Sequence, residues 1–323
     1  MLLVGGCRSY VPREQLAEEY HNLGNAYYEL ERYEEAAGYY RRALGLDSEL
    51  ARTDYNLARA LIAAEDYGEA IDILETLRAQ DPENVTVTET LAYALSQTGD
   101  AKRAEALYTE VLEASPYRVS ALLNSALLLK RQDELQRAAA LLRRAHDAAP
   151  EDPDVLFQLG TTLFAVDEPD RGVALLETYL ESEPENVARQ RSVASTFEEH
   201  RYFDRALEAY DRVLEQREED PEALFGKARI LLTAAEDPEA GISALRSAVE
   251  AGFSDDEAMT ALLEREDLRA RERVRSIATE AGLVVEEPQS ESRSAEDEEV
   301  ESGGTEGEAS GDGSPSGSGD SGS

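Results

Sequence analysis

Residues 20–44 read YHNLGNAYYELERYEEAAGYYRRAL. In the first half of this stretch, Tyr20, Leu23, Gly24 and Tyr27 fall at i, i+3, i+4 and i+7, which is one face of an α-helix. Glu31-Arg32 makes a turn, and beyond it Ala36, Tyr40 and Ala43 share a face of a second helix. Small residues facing large ones let the two helices approach closely. A unit of this size cannot bury its own apolar faces, so it needs neighbours of the same kind.

The neighbours are there, at a constant step. Small residues recur at Gly24, Ala58, Ala92, Ala126, Gly160 and Ala194, and again at Ala36, Ala70, Ala104, Ala138, Gly172 and Ala206. Two bulky series keep the same step: Tyr27, Leu61, Leu95, Leu129, Leu163, Phe197, and Tyr40, Leu74, Tyr108, Leu142, Leu176, Tyr210. Pro82, Pro116, Pro150 and Pro184 follow the second helices at equivalent places. Proline lacks the N–H that a helix interior needs and disfavours a helical residue before it, so each marks the end of a unit.

A 34-residue helix–turn–helix unit with this pattern resembles the tetratricopeptide repeat, and residues 20–44 are close to that family's consensus. The resemblance implies an all-α fold, a right-handed superhelical solenoid. Six units are expected at 17–50, 51–84, 85–118, 119–152, 153–186 and 187–221. A weaker seventh, 222–255, carries Phe225, Leu232, Gly241 and Leu245, and the segment before it runs slightly long. Residues 1–16 are read as a tether, 17–255 as the repeat array, 256–285 as a helical cap and 286–323 as a disordered acidic tail. In the cap, Met259, Leu262, Leu263, Val274 and Ile277 are expected to cover the last unit. Arg265, Arg269, Arg271, Arg273 and Arg275 form a basic cluster there, either paired with neighbouring acids or free to dock an acidic segment.

Acidic residues outnumber basic ones 69 to 32, for a formal charge of −37. Residues 286–323 account for only −11 of it, with 12 acids and one Arg, so the array is acidic in its own right. Such a potential repels phosphate backbones, and no nucleic-acid partner is expected. His21, His146 and His200 lie in different units, without a second ligand at metal spacing. No phosphate-binding glycine loop, HExxH or GxSxG motif is present. The reading is therefore of a non-enzyme that uses neither cofactor nor metal and binds a protein or peptide partner.

In the family's geometry the first helix of each unit lines the inner wall of the superhelix. Its second, fifth, ninth and twelfth places face the groove. Carried over, these include His21, Asn25 and Tyr28, then Arg52, Tyr55 and Arg59, then Glu89 and Tyr93. They continue with Leu123, Leu127 and Lys130, then Phe157, Thr161 and Phe164, and end with Arg191 and Glu198. Tyr93, Leu123, Leu127, Phe157 and Phe164 read either as an apolar strip that accepts a partner segment, oriented by Arg52 and Arg59, or as half-buried packing residues. Some tetratricopeptide co-chaperones clamp a C-terminal carboxylate. Asn25 and Asn56 match two places of that clamp, but His21, Thr86 and Thr90 stand where its cations belong, so the clamp is not built.

Cys7 is the only cysteine, so no internal disulfide can form. Val4-Gly5-Gly6 directly before it resembles the lipobox of bacterial lipoproteins, which implies a lipid on Cys7 and a place in the cell envelope. The hydrophobic run is only Leu2-Leu3-Val4, with no basic stretch before it. The alternative is a cytoplasmic adaptor, or a non-catalytic subunit of a complex, in which Cys7 is incidental.

Overall fold

The computed structural model describes residues 12–48, 51–235 and 237–283. Cys7, most of the expected tether and the acidic tail lie outside them. Within the described residues the chain forms sixteen α-helices and no strand, and the helices pack in consecutive pairs. The pairs are α1 (Arg13–Glu29) with α2 (Tyr33–Leu46), α3 (Ala51–Ala63) with α4 (Tyr67–Gln80), and α5 (Val85–Gln97) with α6 (Ala101–Ala114). They continue as α7 (Val119–Arg131) with α8 (Leu135–Ala148), α9 (Pro153–Ala165) with α10 (Pro169–Ser182), and α11 (Val187–Glu199) with α12 (Phe203–Gln216). The last repeat is α13 (Pro221–Thr233) with α14 (Pro238–Glu250), and α15 (Asp256–Glu264) and α16 (Arg271–Glu280) follow it.

The turn inside each of the first six units has a fixed backbone form. Glu31, Glu65, Gly99, Asp133, Asp167 and Arg201, each one repeat length after the last, all sit in the left-handed region with φ between 58° and 85°. The residue after each donates its N–H to a carbonyl five residues back: Arg32 to Tyr27, Asp66 to Leu61, Asp100 to Leu95, Glu134 to Leu129, Glu168 to Leu163, and Tyr202 to Phe197. This is the Schellman closure, which satisfies the carbonyls left open at a helix C-terminus. Between units the chain is restarted by capping side chains. Asn84, Asp152, Asn186 and Asp220 accept the N–H of the third residue beyond them, at the starts of α5, α9, α11 and α13.

The seventh unit corrects one sequence-based expectation. α13 starts at Pro221, one regular repeat length beyond the start of α11 at Val187, so the segment before it is of ordinary length. The extra residue lies in the turn between α13 and α14. There the second helix starts at Pro238, one place later than the repeat carried on from Phe203 of α12 would put it.

The core is a thin seam between first and second helices. Tyr40, Leu74, Tyr108, Leu142 and Leu176 from the second helices are almost wholly buried, each opposed by a small residue of the first. At Gly24 the approach is close: a Cβ there would lie 2.5 Å from Cε1 of Tyr40. At Gly160 it would lie 2.9 Å from the Leu176 side chain. The cap residues Met259, Leu262, Leu263, Val274 and Ile277 are buried, and Phe225 stacks on Phe253 with centroids 4.0 Å apart.

Four of the five arginine side chains of that segment have partners among the described residues, Arg271 donating to the Arg265 carbonyl. Arg265 donates from Nε and Nη2 to the two Asp267 oxygens, Arg273 binds Glu239 and Arg275 binds Glu272. Along the array, exposed pairs such as Arg41–Glu69, Arg78–Glu110 and Arg137–Glu105 link second helices of adjacent units. Exposed pairs of this kind contribute about 0–1 kcal/mol each and weaken with salt, so the apolar seam and not the charge ladder holds the stack.

Candidate functional site

Successive first helices touch one another: α1 with α3, α3 with α5, α5 with α7, and α11 with α13. They form one inner wall, and the second helices back it. A cavity of about 550 Å³ opens on this wall across the first four units. Tyr28, Tyr55, Arg59, Glu89, Thr90, Tyr93, Ser120 and Asn124 line it from the first helices, and Tyr67 from the start of α4.

The lining is partly pre-set by its own contacts. The Arg59 guanidinium lies over the Tyr28 ring, 4.9 Å from the centroid, and donates to the Tyr28 hydroxyl at 3.3 Å. The Tyr55 hydroxyl is 3.1 Å from the Thr90 hydroxyl, which itself donates to the Thr86 carbonyl at 2.8 Å. Glu89 is only 8% exposed, and one of its oxygens accepts from Arg118. Burial against these rings pushes the Tyr67 hydroxyl's pKa above its ordinary value, with Tyr93 and Glu65 adding to the shift.

The structure thus brings together five of the sequence-predicted groove residues, Tyr28, Tyr55, Arg59, Glu89 and Tyr93. Arg52 sits apart, paired with Glu18, and lines a neighbouring cavity of about 440 Å³ with Tyr55, Gln80, Asn84 and Thr86. Leu123, Leu127, Phe157 and Phe164 are half-buried and belong to neither lining. Leu123 packs on the core beside Ala126 and Leu159, and Phe157 meets the Tyr179 ring at 5.3 Å. Phe164 is held by the next unit: it stacks on His200 at 4.5 Å and meets Tyr202 and Phe197 edge-on.

Three further places on the expected inner face are occupied differently. His21 is buried, with Nδ1 2.9 Å from the Thr53 hydroxyl and its ring 5.7 Å from that of Tyr40. Desolvation lowers its pKa, and the Arg52 charge lowers it further. Asn25 accepts from the Tyr40 hydroxyl at 2.7 Å and from Asn56 at 3.1 Å, so both asparagines are engaged with each other and with the core. Lys130 donates to Gln158 at 2.7 Å, and burial pulls its pKa down.

Groove positions alone do not find Thr90, Asn124 or Tyr67, the last because it comes from a second helix. The signal for Tyr67 is an aromatic residue shortly after the left-handed turn, at the place Tyr33 holds in the first unit. Among the described residues no group of three or more His, Cys, Asp or Glu side chains is arranged to hold a metal. No described helix is long and apolar enough to cross a membrane.

Three solved structures are similar in form. A thermophilic TPR protein of Thermus thermophilus shares 22% identity over 56% of this chain and 98% of its own, with a TM-score of 0.48. MamA from Desulfovibrio magneticus RS-1 shares 19% over 53% and 96%, with a TM-score of 0.47. YrrB, described as a TPR protein with an unusual peptide-binding site, shares 21% over 55% and 91%, with a TM-score of 0.42. No curated protein sequence matches the chain. One tetratricopeptide repeat model matches residues 27–92, 61–126 and 129–195, and a second matches 193–257. With the repeat models spanning more than half the chain and the helix pairs stacked as such repeats stack, the chain belongs to the tetratricopeptide repeat family.

Proposed function

We propose that the chain is a protein-interaction scaffold that holds an extended or helical segment of a partner protein against the inner wall of its first four units. Tetratricopeptide repeat proteins are in general interaction scaffolds and typically non-catalytic, and the finer reading rests on one observation. The cavity of about 550 Å³ spans four successive first helices and carries three tyrosines, a guanidinium and neutral hydrogen-bonding groups from them. Aromatic and arginine side chains dominate binding energy at protein interfaces, and a groove of stacked helices presents them along the length of a peptide. The test uses Ser120, which is exposed on the cavity rim, so that Ser120→Arg fills the cavity without touching the core. A partner co-purifying with the wild-type chain should be lost from Ser120→Arg while the circular dichroism melt stays unchanged. Equal recovery of the partner on both forms refutes the groove.

The Val4-Gly5-Gly6-Cys7 stretch supports a second proposal, that the scaffold is lipid-anchored at Cys7 in a bacterial cell envelope. The competing proposal is a cytoplasmic adaptor or regulatory subunit of the same fold. Intact mass and detergent partition of the protein from its own locus, beside Cys7→Ala, separate them. A wild-type chain beginning at Cys7 with added lipid mass supports the anchor, and an unlipidated chain beginning at Met1 ends that idea.

A further inference from the structure

The cavity carries chemistry that partner capture alone does not explain. Glu89 is more than nine-tenths buried in its wall. Its Oε2 accepts from Arg118, while its Oε1 is shielded from solvent and finds no hydrogen-bond partner among the described residues. A buried carboxylate oxygen left empty is unfavourable, and a donor arriving at it recovers that loss. The rings of Tyr28, Tyr55, Tyr67 and Tyr93 border the same cavity. Tyrosine faces attract a cation, most strongly where water is excluded. The site already contains one such contact, Arg59 over Tyr28.

Charge gives the same direction. The lining carries two carboxylates, Glu65 and Glu89, and one guanidinium, Arg59, while Arg118 pairs with Glu89 from outside the lining. The whole chain carries −37, a field that draws basic segments and slows acidic ones. An apolar guest would leave Glu89 Oε1 empty, and an acidic guest would add a like charge beside it.

Building on the scaffold reading, we propose that this cavity receives an arginine or lysine side chain of the partner segment, its cation against the tyrosine faces and an N–H donated to Glu89 Oε1. The terminal torsion of a glutamate is soft, so the carboxylate turns at low cost to share its two oxygens between Arg118 and the incoming cation. Thr90, Ser120 and Asn124 are placed to bind the backbone on either side of the inserted residue. Raising the salt concentration weakens such binding.

The experiment pans a random dodecapeptide display library on the intact chain. Fluorescence anisotropy then measures the selected peptides on wild type, Ser120→Arg and Glu89→Gln. Expected is a shared Arg or Lys whose replacement by citrulline or Gln weakens binding to wild type by about 10-fold or more. The same replacement should cost less than about 3-fold on Glu89→Gln, because the partner oxygen's charge is gone. If Glu89→Gln does not fold, the comparison on wild type alone decides. Peptides that are lost on Ser120→Arg but tolerate citrulline or Gln overturn the cation site and leave the groove standing. Peptides that bind wild type and Ser120→Arg equally overturn both.

Discussion

Gly24→Ala and Gly45→Ala make the same chemical change in two partnered helices, and the structure gives them opposite signs. Gly45 lies inside α2 with nothing within 4 Å of the place a Cβ would occupy. Alanine there keeps only its helix advantage, a gain of about 0.5–1 kcal/mol. Gly24 lies inside α1, where the new Cβ would sit 2.5, 2.6 and 2.9 Å from Cε1, Cδ1 and Cζ of Tyr40. Carbon atoms pack at about 3.5–4.0 Å, so the ring must retreat by about 1 Å. It has little room: Tyr40 is 2% exposed, bonds Asn25 through its hydroxyl and lies against His21. Overpacking of this kind costs about 1–3 kcal/mol, which outweighs the helix gain and leaves a loss of about 1–2 kcal/mol. Urea titration followed by circular dichroism in the far ultraviolet measures both, with the slope m checked because a terminal repeat can melt on its own. The two variants should differ by about 2 kcal/mol, Gly24→Ala below wild type and Gly45→Ala above it. Gly24→Ala as stable as Gly45→Ala would refute the claim that close helix approach requires the small series.

Three other outcomes follow from particular contacts. Gly99 sits at φ +85° with open space around it, so Gly99→Ala should destabilise by about 1 kcal/mol through the backbone alone, read as a lower urea midpoint at unchanged m. Phe164→Ala removes a ring packed on His200, Tyr202 and Phe197 and should cost about 2–4 kcal/mol by the same titration; an unchanged midpoint would mean that the ring is free for a partner. His21 has its pKa lowered by burial, so below about pH 6.5 the unfolded chain binds a proton that the folded one resists. Stability should therefore fall as pH drops from about 7.5 to about 5.5, and His21→Gln should flatten that slope. Asp54, whose carboxyl is raised by burial, acts in the opposite sense, favouring the folded state as pH falls through its raised pKa.

The fold is legible in the sequence because packing leaves its mark on residue size. A small residue is required wherever Tyr40, Leu74 or Leu176 presses on a first helix, and that requirement recurs once in every unit. The left-handed turn leaves almost no mark. Only Gly99 is glycine among its six members, since the Schellman bonds hold Glu, Asp and Arg in that form. A reading of the sequence also misplaces the extra residue of the seventh unit, where no glycine flags the turn.

The groove is half legible. Helical register assigns Tyr55, Arg59 and Tyr93 to the inner face, and the cavity lies there. Register does not say what the next unit's turn lays over a side chain, and His200 with Tyr202 covers Phe164. Nor does it show that Glu89 is buried with one oxygen unmatched, because that depends on where Arg118 reaches.

The central claim is that a partner lies along the inner wall. Site-specific photocrosslinking in the native cell tests it most directly, with p-benzoylphenylalanine at Ser120 or Asn124 on the cavity and at Thr76 or Thr109 on the exposed faces of α4 and α6. The account predicts one protein crosslinked from Ser120 and Asn124 and absent from Thr76 and Thr109. The same protein crosslinked from Thr76 and Thr109, with Ser120 and Asn124 silent, would contradict it.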